Sequence, residues 1–135
     1  EILQGVMLEV PSACFQASEM LREADFASIG TNDLIQYLFA VDRDNELVAD
    51  DYDCDTPVFW ELLRTIVEAA NSFGKPLSIC GELAGDPRFI PRLIDLGFTC
   101  VSVTPRRISA ARQAAHRHVG RAAPPRMIAA RGREC

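Results

Sequence analysis

The strongest constraint on this chain is an alternation that repeats four times. Residues 5–10 (GVMLEV), 26–29 (FASI), 76–79 (PLSI) and 100–103 (CVSV) are short apolar runs, and a segment with helical spacing follows each. Pro11 ends the first run, which reads as a central strand with one carboxylate, Glu9, near its end. Ser12 is placed to cap a helix over residues 13–24. Leu34, Ile35, Leu38 and Phe39 form an amphipathic helix after the second run. Thr56-Pro57 opens the clearest helix, with Phe59, Leu62, Leu63, Ile66, Ala70 and Phe73 on one side and Gly74 as its stop. Asp86-Pro87 opens another through Phe89, Ile90, Leu93, Ile94 and Leu96, ended by Gly97. A last helix is expected over residues 107–118. Strict strand–helix alternation predicts an α/β fold with a parallel sheet and right-handed crossovers. Four βα units make half of a (β/α)8 barrel of TIM type or, alternatively, a small open sheet.

At 135 residues there is room for one domain with a proper core. Residues 1–118 are assigned to it. Residues 119–135, with Pro-Pro, scattered Arg and no apolar period, are expected to be a disordered basic tail. Charge is unevenly spread: residues 1–104 carry a net −12 and residues 105–135 a net +7, which together give −5. A body this acidic repels nucleic acid backbones. No apolar run approaches the roughly 20 residues needed to cross a bilayer, and no export signal opens the chain. Five cysteines without a C-x-x-C pair argue against a disulfide framework or zinc site and fit a reducing cytoplasm. The chain opens EILQG without Met and is expected to be an excerpt of a longer polypeptide. Residues 41–55, acidic and without period, form a long loop of the kind that often serves binding.

Candidate chemistry gathers at the predicted carboxyl ends of the strands, which converge on one mouth in a barrel. Glu9 follows the first strand, Asn32 and Asp33 the second, and Cys80, Gly81 and Glu82 the third. Asn32 and Asp33 fall where a helix starts, so they are either its caps or part of a polar cup for a ligand. Two carboxylates, Glu9 and Asp33, are too few for calcium. They suit magnesium, which keeps waters and takes other oxygens from a phosphorylated substrate; the alternative for Glu9 is a salt bridge inside the barrel. Asn32 and the backbone N–H groups at the helix start can donate to a phosphate. Arg43 can return from the loop as a phosphate fork or be a solvated surface residue. Cys80 is either core packing or a proton donor, since an ordinary thiol is mostly protonated at neutral pH. Cys14, Cys54, Cys100 and Cys135 read as structural or incidental. His116 and His118 sit without carboxylate neighbours in sequence and are not expected to be catalytic.

Three motifs in this order, GVMLEVP (5–11), SIGTNDLIQYLFAVDR (28–43) and SICGELAGD (78–86), resemble the PEP-binding barrel of PEP-utilising enzymes. The likeness is nearest to the Enzyme I type of PEP–protein phosphotransferase, of the bacterial sugar or nitrogen phosphotransferase system, and it covers residues 3–115. It implies binding of phosphoenolpyruvate and Mg2+, with the phosphoryl group passing to a histidine on another domain and then to an HPr-type carrier. It also implies dimerisation. By motif, Glu9 and Asp33 correspond to Mg2+ ligands, Asn32, Asp33 and Arg43 to PEP contacts, and Cys80 to the acid that protonates the enolate carbon. The phosphorylatable histidine, the carrier-binding domain and the first half of the barrel have no counterpart in this sequence, so the chain alone is expected to be inactive. TPRRISAARQAA (104–115) is also similar to PEP synthase and pyruvate phosphate dikinase, which leaves a dikinase-type relative as an alternative. A non-catalytic half-barrel that binds or dimerises is the other.

Overall fold

The computed structural model describes residues 2–42, 44, 45, 47, 48 and 53–120. Strand β1 (Gly5–Leu8) leads into helices α1 (Pro11–Phe15) and α2 (Ala17–Glu23), then β2 (Phe26–Gly30) and α3 (Thr31–Phe39). After the loop come α4 (Pro57–Ser72), β3 (Leu77–Cys80), α5 (Glu82–Gly85), α6 (Ile90–Leu96), β4 (Cys100–Val101), a 3₁₀ turn (Pro105–Arg107) and α7 (Ile108–Val119). The described strands form one parallel sheet in the order β1-β2-β3-β4. Consecutive parallel neighbours joined through helices are the predicted α/β architecture, and four such units fit half of a (β/α)8 barrel. No helix among the described residues is long and apolar enough to cross a membrane.

Strand parity divides the sheet into two faces. Leu8, Ile29 and Ile79 share one row of the register and are fully buried. They pack into a cluster with Leu21, Leu34, Phe59, Leu63, Ile66 and Leu93 from the helices. The neighbouring positions Met7, Ser28, Ser78 and Cys100 form a row on the other face. Met7 there is 49% exposed, and Phe26, on the same face, is 40% exposed. Helices thus cover one side of the sheet, and the side that is interior in a closed barrel stays open among the described residues. Cys14, on the buried side of α1, is an inert core thiol, and its burial pushes the pKa up to about 11.

Helix α4 is the longest and follows the pattern read from sequence. Thr56 accepts a hydrogen bond from the Phe59 N–H at 3.4 Å, Pro57 occupies the first turn, and Phe59, Leu62, Leu63, Ile66 and Ala70 are buried. Its end at Phe73-Gly74, and the end of α6 at Gly97, fall where the sequence puts them.

Elsewhere the boundaries differ. β1 is an edge strand of the described sheet rather than a central one, because it pairs with β2 alone. Ser12 caps nothing: Pro11 presets the first helical φ, so α1 begins there with Val10 as an extended N-cap. The helix expected over residues 13–24 breaks at Gln16. The Gln16 N–H bonds back to Ala13 O (3.1 Å) in a tighter turn, and its side-chain amide takes the Ser12 carbonyl (3.0 Å). The Asp86-Pro87 helix starts later, at Ile90, because Asp86 folds a local turn with its Oδ1 accepting from the Arg88 N–H (2.9 Å). β4 stops at Val101, although the Ser102 N–H still reaches Ile79 O (2.8 Å).

Candidate active site

The ends of the strands bring the predicted residues to one edge. Gly30 stands beside Cys80 in the register of β2 and β3. One step past the β1–β2 pairing, the Glu9 carboxylate lies over Gly30, with Oε2 2.9 Å from where a Cβ would stand. Gly30 therefore provides the space that Glu9 occupies. Asn32 and Asp33 follow in the first turn of α3, and Ser102 follows β4 beside Cys80.

At the start of α3 neither Asn32 nor Asp33 is the cap. Its N-cap is Gly30, with no side-chain capping bond, and the helix begins at Thr31, one residue before the expected caps. The polar side chains reach across to the next unit instead. Thr31 Oγ1 donates to Cys80 O (2.8 Å), and Asn32 Oδ1 accepts from the Glu82 N–H (2.9 Å). Asp33 Oδ1 accepts from Gln36 Nε2 at 3.2 Å. The first-turn N–H groups of α3 are those an α-helix leaves without intrahelical partners, and the dipole there favours an anion.

Cys80, half-buried, donates its thiol hydrogen to Ile29 O at 3.3 Å. With Asn32, Gly81 and Glu82 it lines a cleft of about 890 Å3 that extends towards Ser102, Thr104 and Arg107. Glu9 and Asp33 do not line that cleft; they flank Gly30 and the start of α3. Arg43 lies outside the described residues, as do residues 121–135 of the expected tail.

Sequence reasoning missed several groups around the cleft. Cys54, expected to be structural or incidental, is part of its wall. Arg107 lays its stem on Gly85, with Cγ 3.4 Å from where a Cβ would be. Arg88 pairs with Asp86 through contacts of 2.7 to 3.1 Å, and that hydrogen bonding holds the Asp86 carboxyl below its usual range. Cys54 and Arg88 lie outside the quoted motifs; Asp86 ends SICGELAGD and Arg107 lies in TPRRISAARQAA, but nothing in those strings marks either as facing the cleft. A second hollow of about 400 Å3 is formed by Asp53, Cys54, Asp55, Arg88, Phe89 and Arg92. On its rim Asp55 Oδ1 accepts from Trp60 Nε1 (2.7 Å) and from Arg92 Nη1 (2.8 Å), while the Arg92 guanidinium lies 4.1 Å from the centre of a Trp60 ring. His118, expected to lack a carboxylate neighbour, has Asp95 Oδ1 2.7 Å from its Nε2 and ties α7 to α6. The two residues are 23 apart in sequence, so only folding reveals the pair.

Among the described residues no three His, Cys, Asp or Glu side chains gather into a cage. The carboxylate of Glu9, given room by Gly30, and Asp33 at the head of α3 make a two-carboxylate set. That set fits magnesium, which takes few protein ligands and completes its octahedron with water and phosphate oxygens.

Comparison with known proteins identifies the family. The family described as PEP-utilising enzyme, PEP-binding domain, matches residues 1–119. The multiphosphoryl transfer protein of Escherichia coli O6:H1 is 47% identical over 109 residues, covering 81% of this chain and 13% of that protein. The phosphoenolpyruvate-protein phosphotransferase of Geobacillus stearothermophilus is 45% identical over 108 residues, 80% of this chain and 19% of the relative. Its namesake from Streptococcus equinus is 43% identical over 97 residues, 72% of this chain and 17% of the relative. The chain thus spans less than a fifth of the length of these relatives. With a matching family over nearly all the described residues and relatives this similar, the chain belongs to the PEP-binding domains of the PEP-utilising enzymes.

Proposed function

We propose that this chain is the PEP-binding segment of an Enzyme I-type phosphoenolpyruvate–protein phosphotransferase, working in the cytoplasm. In this role PEP gives its phosphoryl group to a histidine on another domain, from which it passes to an HPr-type carrier of a sugar or nitrogen phosphotransferase system. The observation that carries the proposal is the shared edge: Glu9 over Gly30, Gly30 beside Cys80, and Asn32 bonded to Glu82. The names of the relatives favour this reading over a dikinase-type one.

Phosphoryl transfer asks a protein chiefly for positioning and for neutralisation of charge. Asn32 and the first-turn N–H groups of α3 bind the phosphate oxygens, and Arg43 is assigned to the same anion from its place in the motif. Glu9 and Asp33 would hold Mg2+, which when bound would supply positive charge against the phosphate. When the C–O–P bridge breaks, the enolate of pyruvate remains. Cys80 Sγ gives its proton to C3 of that enolate, forming the methyl group of pyruvate, and the thiolate recovers a proton from water.

The test uses the complete enzyme of which this chain is proposed to be part, with Cys80→Ala. Run with (Z)-3-deutero-PEP in tritiated water, the variant should transfer phosphoryl groups to the carrier at a rate within a few-fold of the unsubstituted enzyme. The unsubstituted enzyme should give pyruvate whose methyl group has one configuration, and the variant, whose enolate takes its proton from water, a racemic methyl group. A methyl group of one configuration from the variant would remove Cys80 from this role.

A second reading, association of two copies, is favoured by the open sheet face that bears Met7 and Phe26. It is compatible with the first, since a barrel half with an uncovered interior side needs a cover in either case.

A further inference from the structure

The described residues contain one buried polar side chain, Thr31, which is fully inaccessible. It lines neither of the two hollows described above, and its hydroxyl is used within the fold, on Cys80 O at 2.8 Å. Residue 80 is thereby held twice by the unit beside it: its carbonyl by Thr31 at the head of α3, its thiol by Ile29 O of β2 at 3.3 Å. Gly81 completes the arrangement. Its backbone lies at φ 103° and ψ −175°, a region that is essentially restricted to glycine. A Cβ there would collide with Thr31 Oγ1 and stand 2.8 Å from Asn32 Oδ1. The Thr31 hydroxyl sits in the notch that the missing Cβ leaves.

We infer that Thr31 is a positioning residue for Cys80, fixing the direction of the thiol by anchoring the carbonyl of the same residue. Main-chain anchorage matters here because β3 ends at Cys80 and the ladder to β2 goes no further than Gly30. Beyond that pair α3 and α5 begin, joined by the bond from the Glu82 N–H to Asn32 Oδ1. Without the Thr31 bond, residue 80 keeps only the final rung of the ladder beside Gly30 and a contact through sulfur, where hydrogen bonds are weak. A threonine hydroxyl aimed at a carbonyl is therefore what keeps the thiol against Ile29 and on the wall of the cleft.

The inference rests on the role proposed for Cys80, but its test reads the thiol without any turnover, so the two fail separately. In the 135-residue chain, iodoacetamide labelling is followed cysteine by cysteine with peptide mass spectrometry. Thr31→Val keeps the shape and removes the hydroxyl; it should raise the labelling rate of Cys80 by about three- to ten-fold, the worth of one hydrogen bond. Cys14, Cys54 and Cys100 should keep their rates. Thr31→Ser, which retains the hydroxyl, should bring Cys80 back to within about two-fold of the unsubstituted chain. An unchanged Cys80 rate in Thr31→Val, or no recovery in Thr31→Ser, overturns the inference. If Thr31→Val raises every cysteine together through loss of fold, the decision passes to the unsubstituted chain by NMR. A slowly exchanging Thr31 hydroxyl proton close to the Gly81 amide supports the assignment, and a hydroxyl averaged with solvent overturns it.

Discussion

At Gly81 a single methyl group meets two obstacles: a backbone conformation unsuited to a side chain, and the oxygens of Thr31 and Asn32. Strain at such a φ costs about 1–3 kcal/mol, and an overpacked neighbour adds about 1–3 kcal/mol. Gly81→Ala should therefore lower the stability of the chain by at least about 2 kcal/mol, read as an earlier urea midpoint by circular dichroism. An unshifted midpoint would mean that the notch has room. Cys80 and Gly81 stand out in the sequence because a thiol and a glycine follow an apolar run. Thr31 does not, because a threonine after glycine reads as a turn residue, and its partner lies 49 positions away. The same distance problem hid the bond from Glu82 to Asn32, so the sequence leaves both cap and cup open at Asn32, where the fold puts the cap at Gly30.

Among the elements, α4 was the most legible, since its cap, its period and its stop agree with one another. That agreement makes its N-terminus a clean place to measure a cap. Thr56→Ala removes the acceptor of the Phe59 N–H while Pro57 still presets the turn, so the loss should be about 1 kcal/mol in thermal or urea unfolding. A loss near zero would assign the start of the helix to Pro57 alone. The broken pair α1 and α2 was not legible, because the break depends on a glutamine amide finding a carbonyl four residues back. α5 has four residues, too few to show a helical period. Where an element is held by local rules the sequence announces it; where tertiary contacts hold it, the pattern is silent.

For the molecule as a whole, alternation was enough to predict a parallel sheet, and parity then sorts its faces. The buried row of Leu8, Ile29 and Ile79 explains the apolar runs, and the opposite row explains why serines, a glycine and a cysteine interrupt them. Strands β1 and β4 each pair on one side among the described residues, and unpaired edges beside a partly apolar face favour association. Sedimentation of the chain at several concentrations should show mass rising above the monomer; a single monomer boundary at the highest concentration would contradict the two-copy reading. The Arg92–Trp60–Asp55 contact has a practical consequence. Trp60 is the chain's one indole, with a cation on its face and a carboxylate on its N–H, at the point where the long loop rejoins the helices. Its fluorescence is a built-in, label-free reporter of whether the end of that loop stays docked, and a red-shifted emission would mark the moment it lets go.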